Sequence, residues 1–212
     1  MIMDLAYLEQ LDQELTLAIN GFHSAFTDPI MWFFSNKLVW IPMYVGIVAL
    51  MLWKLGWKKT LVVLAGVVLT IVLCDQFANI VKHWAQRIRP VNDPSMVERG
   101  LHILETGGGY SFFSAHAANS FSIALCTIMP FRRHAGRGWD IRRVSATGQD
   151  KSAGWIRFYT WWMLFWAFMV AISRIFVGKH FLGDVIVGTV VGILLGLAMG
   201  FLTNLAIRKL VR

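Results

Sequence analysis

Five long apolar stretches dominate the chain, at residues 38–57, 60–81, 115–131, 156–172 and 181–207. Most of them reach the roughly 17–25 residues that a helix needs to cross a bilayer, and the 115–131 stretch is at the lower limit. The pattern predicts an all-α, polytopic membrane bundle with about five transmembrane helices. Residues 1–212 are expected to form a single transmembrane domain.

The first 36 residues follow a different pattern. Between Asp4 and Phe22, leucines recur at helical spacing with four acidic residues among them. Acidic residues at this density argue against a membrane span, so we expect an amphipathic helix that lies in the interface. A second short helix is expected from Asp28 to Asn36. Residues 1–36 are therefore predicted to be interfacial.

Composition and charge placement support a membrane protein of defined orientation. The chain is 57% hydrophobic with a mean hydropathy of +0.57, which excludes an ordinary soluble domain. Thirteen of the twenty Lys and Arg residues lie in connections on one side of the predicted spans, including a basic loop at 132–154. The positive-inside rule predicts that this side is cytoplasmic. The net charge of +8 is then explained by orientation and contact with anionic lipid headgroups, and it gives no reason to expect nucleic-acid binding.

Three polar blocks lie where apolar stretches begin or end, on the side opposite the basic connections. They are Lys82 to Arg89-Pro90, then Phe113-Ser114-Ala115-His116, then Ser173-Arg174 followed by His180 and Asp184. Ionisable groups in and beside membrane spans are costly and usually functional. Cations, two histidines and a carboxylate together could perform phosphate chemistry without a metal or another cofactor.

The last block is the most informative about chemistry. His180 and Asp184 are four residues apart, so on a helix they would share one face. A carboxylate beside an imidazole fixes the tautomer and raises the basicity of the ring. Glycines continue along this face at the same spacing, at Gly188, Gly192, Gly196 and Gly200. Small residues let membrane helices approach closely, so this face is predicted to point into the bundle.

The first block ends a line of polar residues in the second span. Asp75, Asn79, Lys82 and Gln86 recur at helical spacing, and this line is expected to face the protein interior. We interpret Asp75, the deepest, as a structural partner within the bundle. Arg89 precedes a proline, so it is predicted to leave the helix and curl back.

The remaining polar residues carry weaker signals. Ser114 is expected to cap a helix whose first N–H groups could bind an anion, and Arg174 could bind phosphate oxygens with two donors. The other four histidines have no partner pattern and are interpreted as surface or packing residues: His23, His83, His102 and His134. Cys74 and Cys126 lie within apolar stretches and are interpreted as buried free thiols.

These motifs resemble those of the type 2 phosphatidic-acid phosphatase superfamily of integral membrane lipid phosphatases. That family carries KxxxxxxRP, PSGH and SRxxxxxHxxxD. The first and third motifs match in full, at Lys82 to Pro90 and at Ser173 to Asp184. In the middle motif Phe113 replaces proline and Ala115 replaces glycine, whereas Ser114 and His116 are kept. The resemblance covers residues 82–184.

The resemblance implies a metal-independent phosphatase with a phosphohistidine intermediate. By position, His180 would be the nucleophile, Asp184 would orient it, and His116 would act as general acid and base. Phosphate oxygens would be held by Lys82, Arg89, Ser114, Ala115 and Arg174, with Pro90, Ser173 and Asp75 in support. The Cβ of Ala115 should reduce turnover if the family glycine needs a positive φ, and should cost little if that residue is helical.

The implied substrate is a membrane lipid at the outer face of a bacterial-type inner membrane. Lipid A phosphate and undecaprenyl diphosphate are the two main candidates, with a slight preference for lipid A, and phosphatidylglycerol phosphate is a third. Two other classes stay open at this point. One is a non-catalytic lipid-phosphate-binding relative, because the middle motif is altered. The other is a transporter, although the sequence shows no inverted repeat. The sequence does not indicate the oligomeric state.

Overall fold

The computed structural model describes residues 4–135 and 151–211. These residues form eight α-helices: α1 (Leu5–Asn20), α2 (Thr27–Ser35), α3 (Ile41–Leu55), α4 (Trp57–Ala85), α5 (Pro94–Glu98), α6 (Ala115–Pro130), α7 (Lys151–Phe176) and α8 (Leu182–Leu210). A 3₁₀ turn precedes α3 at Lys37–Trp40, another lies at Pro90–Asn92, and a π-helical turn at Phe131–Ala135 continues α6. Most of the predicted basic loop at 132–154 lies outside the described residues.

Four apolar segments of the described chain are long enough to cross a membrane: Lys37–Leu55, Trp57–Glu98, Gly154–Phe176 and Leu182–Leu210. The remaining predicted span corresponds to α6, which has 16 residues and lies among α4, α7 and α8 with most of its side chains buried or half-buried. The predicted all-α membrane bundle is confirmed, and α6 is its central helix.

The glycines of α8 determine how closely that helix approaches α6. A methyl group added at Gly192 would come within 2.8 Å of the Ala118 Cα, and one added at Gly196 would come within 2.8 Å of the Ser122 Cα. The close approach predicted from the glycine spacing is therefore correct. It places the start of α6 beside the start of α8, where the Ser114 N–H donates to the Asp184 carbonyl at 3.0 Å.

The polar line along α4 is only partly interior. Asp75 accepts a hydrogen bond of 2.8 Å from Asn119 of α6, so its predicted role as a partner within the bundle agrees with the structure. Asn79 and Gln86 are exposed, and the prediction that they face the interior is wrong. Small Ala78 takes the buried position next to Asn79, and Gln86 ends the helix in the left-handed region at φ 48°.

Helix α1 is amphipathic, and its polar face caps two other helices. Asp12 and Thr16 accept hydrogen bonds from the Gly183 and Leu182 N–H groups at the start of α8, at 2.7 and 2.9 Å. One turn further along, the Asn20 amide donates to the Ile175 and Phe176 carbonyls at the end of α7, at 3.0 and 3.1 Å. These backbone groups have no partner within their own helices.

The apolar face of α1 points away from the bundle. Four of its five leucines are exposed, with Leu5 at 82% and Leu15 at 43%, whereas Leu17 is half-buried against the protein. A helix that is polar toward the protein and apolar toward the outside suits the membrane interface, and the interfacial position of α1 stays a prediction.

The ends of α4 and α7 and the starts of α6 and α8 meet at one end of the bundle, which we call the motif end. The long loop (residues 86–113) crosses this end and is held by main-chain hydrogen bonds. Val91 N–H donates to the Gly178 carbonyl at 3.1 Å, and Ser111 N–H donates to the Arg87 carbonyl at 2.7 Å. Gly178 makes the turn between α7 and α8 possible, because its φ is +79°.

Candidate active site

Asp184, the third residue of α8, is completely buried at the motif end. Its Oδ1 accepts from the Arg87 guanidinium at 2.8 Å. Its Oδ2 accepts from the Phe181 N–H at 3.0 Å and from the Ser111 hydroxyl, and lies 3.4 Å from Nδ1 of His180. A buried carboxylate is stable as an anion only with such partners, and these come from the long loop and the connection between α7 and α8.

His180 lies just before α8 and not on it. The prediction that His180 and Asp184 share a helix face is therefore wrong, although the two side chains do meet. Phe181 is extended (φ −70°, ψ 160°) and caps the helix, and Asp184 reaches back to bond the Phe181 N–H. The same backward reach brings the carboxylate to the imidazole of His180.

The Asp184 contact determines which imidazole nitrogen of His180 is free. A carboxylate only accepts hydrogen bonds, so Nδ1 carries the proton and Nε2 keeps its lone pair. Within residues 4–135 and 151–211, no hydrogen bond engages Nε2. Burial lowers the pKa of His180 below its ordinary value, and this effect outweighs the opposing influence of Asp184. The imidazole is therefore neutral at physiological pH, which is its nucleophilic form.

Arg87 is a site residue that the sequence reasoning missed. Its guanidinium bridges Asp184 at 2.8 Å and Asp12 of α1 at 2.7 Å, and it lies 3.9 Å above the Phe181 ring. The only signal in the sequence was a third cation between Lys82 and Arg89 at the end of a span. Arg87 links α1 to the buried carboxylate.

Two further arginines present buried donors without partners. Arg89 is extended (φ −74°, ψ 149°), as predicted from the following proline. Arg174 is 4% exposed, donates to the Ser35 hydroxyl and lies 3.6 Å from the Glu105 carboxylate. The Nε atoms of both arginines are buried and have no hydrogen-bond partner among the described residues. Unpaired guanidinium donors of this kind suit an anion with several oxygens.

Lysines add to the positive field of the motif end. Lys82 is half-buried in the last turn of α4. Lys179 donates to the Thr106 carbonyl at 2.5 Å. Burial and the charge of Arg89 lower the pKa of Lys179. Two further residues beside Arg174, Ser35 and Glu105, were not indicated by any sequence pattern, and they bond each other at 2.5 Å.

The altered middle motif keeps its local structure. Ser114 caps α6, and its hydroxyl accepts from the Ala117 N–H at 3.4 Å. Ala115 is the first helical residue, and among the described non-glycine residues only Gln86 has a positive φ. Ala115 thus has a helical backbone, the case in which alanine is expected to cost little. Phe113 is 1% exposed and packs against Phe77 with ring centres 5.6 Å apart.

The predicted supporting residues have structural contacts. Pro90 is buried and begins a 3₁₀ turn. The Ser173 hydroxyl is buried and donates to the Val170 carbonyl at 2.8 Å, within α7. Asp75 bonds Asn119, so its carboxylate holds α4 and α6 together close to His116.

A cavity of about 510 Å³ lies beside His116. Its polar end is lined by Ser35, Lys37, Asp75, His116 and Asn119. The rest is lined mostly by apolar side chains of α3, α4, α6 and α7, and reaches Met51 and Thr127. Thr127 is eleven positions after His116, which corresponds to about 16 Å along the helix.

Comparison with known proteins identifies the family. The sequence profile of the PAP2 superfamily matches residues 59–206. The chain belongs to the PAP2 superfamily. A lipid A 4′-phosphatase of Bacteroides thetaiotaomicron is 31% identical over 189 residues, which cover 88% of this chain and 74% of that relative. A lipid A 4′-phosphatase of Porphyromonas gingivalis is 28% identical over 192 residues, which cover 90% and 72%.

Two solved structures of PAP2 proteins share the fold. The transmembrane PAP2-type phosphatidylglycerolphosphate phosphatase of Bacillus subtilis has a TM-score of 0.66 at 20% identity, covering 100% of this chain and 90% of that one. Aquifex aeolicus LpxE has a TM-score of 0.58 at 20% identity, covering 88% and 92%. The family match, the relatives and the apolar helices together show that this PAP2 protein is a multi-pass membrane lipid phosphatase.

Arg87 should matter for turnover because it holds Asp184 in position. We expect Arg87→Ala to lower kcat for lipid phosphate hydrolysis by about 10–100-fold, since small displacements in an active site have effects of this size. Arg99→Ala is the matched control, because Arg99 is an exposed arginine of the same loop that bonds Gln13 of α1. Equal kcat values for the two variants would contradict a positioning role for Arg87.

Proposed function

We propose that this PAP2 enzyme removes a phosphate from lipid A, and that the 4′-phosphate is its substrate group. This proposal rests on two relatives named lipid A 4′-phosphatase, whose alignments cover 88% and 90% of this chain. The arrangement of His180, Asp184 and the unpaired arginine donors supports the chemistry that the proposal requires.

In the proposed first step, Nε2 of His180 attacks the phosphorus. The bond between phosphorus and the lipid oxygen breaks, and His116 gives its proton to that oxygen. The product is a phosphohistidine on His180. Asp184 stabilises the positive charge that develops on the ring, because its Oδ2 faces Nδ1.

In the second step a water molecule attacks the phosphohistidine. His116 now accepts a proton from the water, the phosphorus–nitrogen bond breaks, and inorganic phosphate leaves with His180 regenerated. Among the described residues His116 makes no hydrogen bond, and it lies at the polar end of the cavity. Both features leave its imidazole available to the substrate and to water.

The phosphate oxygens are assigned to Lys82, Arg89, Arg174 and the first N–H groups of α6. Phosphoryl transfer depends largely on positioning and on stabilising charge spread over the equatorial oxygens. The unpaired Nε donors of the two arginines support this assignment. The Ser114 hydroxyl caps α6, so we assign the contribution of this motif to the main chain at Ala115 and His116.

The apolar cavity beside His116 supports a lipid substrate. A hydrocarbon chain placed in it would be surrounded by α3, α4, α6 and α7, with His116 at the polar end. A membrane lipid has an apolar part that could fill this space, whereas a short water-soluble phosphate ester does not. We therefore expect lipid phosphates to be hydrolysed faster than short water-soluble esters.

The inner membrane is the proposed location, with the motif end on its outer side. Lys58, Arg208 and Lys209 are exposed at the opposite end of the bundle, and they belong to the more basic set of connections. The positive-inside rule favours the cytoplasm for that end. The phosphatase would then act on lipids of the outer leaflet.

Phosphate release by the purified enzyme tests the proposed substrate. With EDTA present, we expect release from lipid A to exceed release from undecaprenyl diphosphate, phosphatidylglycerol phosphate, phosphatidic acid and p-nitrophenyl phosphate. His180→Ala should lower the rate at least about a thousandfold, because it removes the nucleophile. His83→Ala, which changes an exposed histidine of α4, should leave the rate unchanged.

Each outcome of this assay has a distinct meaning. A preference for another lipid would refute lipid A as the substrate while keeping the reaction class. Comparable turnover by the His180→Ala enzyme would refute the assignment of the nucleophile.

Labelling from outside the cell tests the proposed orientation. Val97→Cys places a thiol at an exposed position of the long loop, and Lys58→Cys places one at the opposite end. A membrane-impermeant maleimide should label Cys at 97 in intact spheroplasts, and Cys at 58 only after permeabilisation. Native Cys74 and Cys126 are fully buried and should give little background. The reverse labelling pattern would show that the proposed orientation is wrong.

A further inference from the structure

Three side chains near the motif end, apart from the proposed catalytic groups, are placed to ligate a metal ion. They are His23 in the connection between α1 and α2, Asp28 in the first turn of α2, and His102 in the long loop. One ligand atom from each lies within 4.8 Å of the others. His102, interpreted from the sequence as a surface or packing residue, packs against His23, and its Nε2 also contacts Asp28. Its partners come from 74 and 79 positions earlier in the chain, and no local pattern indicates them.

His102 is held firmly at the centre of this cluster. Its Nε2 is 2.9 Å from Oδ2 of Asp28, and its ring stacks on His23 with centres 3.8 Å apart and planes at 9°. The main chain of His102 is fixed on both sides by Asn20, which accepts from its N–H at 2.8 Å and donates to its carbonyl at 2.9 Å. His23 is exposed and is free to change its side-chain angles.

The charge of Asp28 is incompletely compensated. Its Oδ1 is buried and has no hydrogen-bond partner among the described residues. Its only ion-pair partner within residues 4–135 and 151–211 is His102, which is charged only when protonated. Burying a carboxylate oxygen without a partner is costly, so the site gains from a bound cation.

We propose that His23, Asp28 and His102 bind a divalent transition-metal ion of the Zn²⁺ type. Imidazole and carboxylate ligands suit such ions, and three protein ligands leave a position for water. The ring nitrogens hold their lone pairs in the ring planes, so two stacked rings cannot both point at one ion. Metal binding therefore draws the exposed His23 ring out of the stack, whereas His102 stays in place.

The bound metal fastens the long loop to the interfacial helices. His102 is joined through Asn20 to the end of α7, and Glu105, three residues further along, contacts Arg174 and Ser35 at the end of α2. A metal shared by the α1–α2 connection, α2 and the loop stabilises this arrangement over Arg174. It takes no part in phosphoryl transfer, so the inference goes beyond the proposed phosphatase reaction.

Titration calorimetry with Zn²⁺ tests the site directly. The protein is the tag-free full chain in detergent, stripped with EDTA and carrying His180→Ala, so that the result does not depend on catalysis. We expect one Zn²⁺ per chain and an increase in Tm when the metal is bound. Adding His23→Ala or His102→Ala should weaken binding at least about tenfold. Adding His83→Ala, which removes an exposed histidine outside the cluster, should change neither quantity.

Two results would overturn the metal site. One is the absence of saturable Zn²⁺ binding by the protein with an intact cluster. The other is unchanged affinity after His23→Ala, a substitution at an exposed position that leaves the fold intact. Because the assay uses the His180→Ala background, a failure of the phosphatase proposal would leave its result unaffected.

Discussion

The buried carboxylate of Asp184 is the group on which the motif end depends. An uncompensated charge at this depth would destabilise the bundle, so each of its oxygens must be paired. Arg87 pairs with one oxygen, while Ser111, the Phe181 N–H and His180 surround the other. The Asp184 carbonyl also accepts the main-chain hydrogen bond that joins α8 to the start of α6. One side chain and its backbone thus bring the three polar blocks of the sequence together.

The main-chain groups at the helix ends impose a second requirement on this region. In a membrane bundle, N–H and carbonyl groups without a partner in their own helix cannot depend on water for hydrogen bonds. The polar face of α1 supplies partners for α8 through Asp12 and Thr16 and for α7 through Asn20. Because Asp12 also pairs with Arg87, direct contacts connect α1 to the buried carboxylate and, through it, to His180.

Features that depend on periodicity or on neighbouring residues could be predicted from the sequence. Features that depend on contacts between residues far apart in the chain could not. The glycine spacing of α8 predicted its approach to α6, and the following proline predicted the extended Arg89. His180 was expected to share a helix with Asp184, but α8 begins after Phe181, which is not a residue type that favours the N-cap position. Arg87 was overlooked because its two acidic partners lie 75 and 97 positions away. Asn79 was expected inside because polarity alone does not show which helix face packs.

The proposed mechanism requires that Nε2 of His180, left free by the Asp184 contact, forms a bond to phosphorus. Rapid quenching of the enzyme during turnover of lipid A with a radiolabelled phosphate tests this most directly. We expect label bound to the protein through an acid-labile, alkali-stable bond on the peptide containing His180, and none on the His180→Ala protein. Phosphate release from the active enzyme without any protein-bound label at the earliest times, or label on another residue, would contradict it.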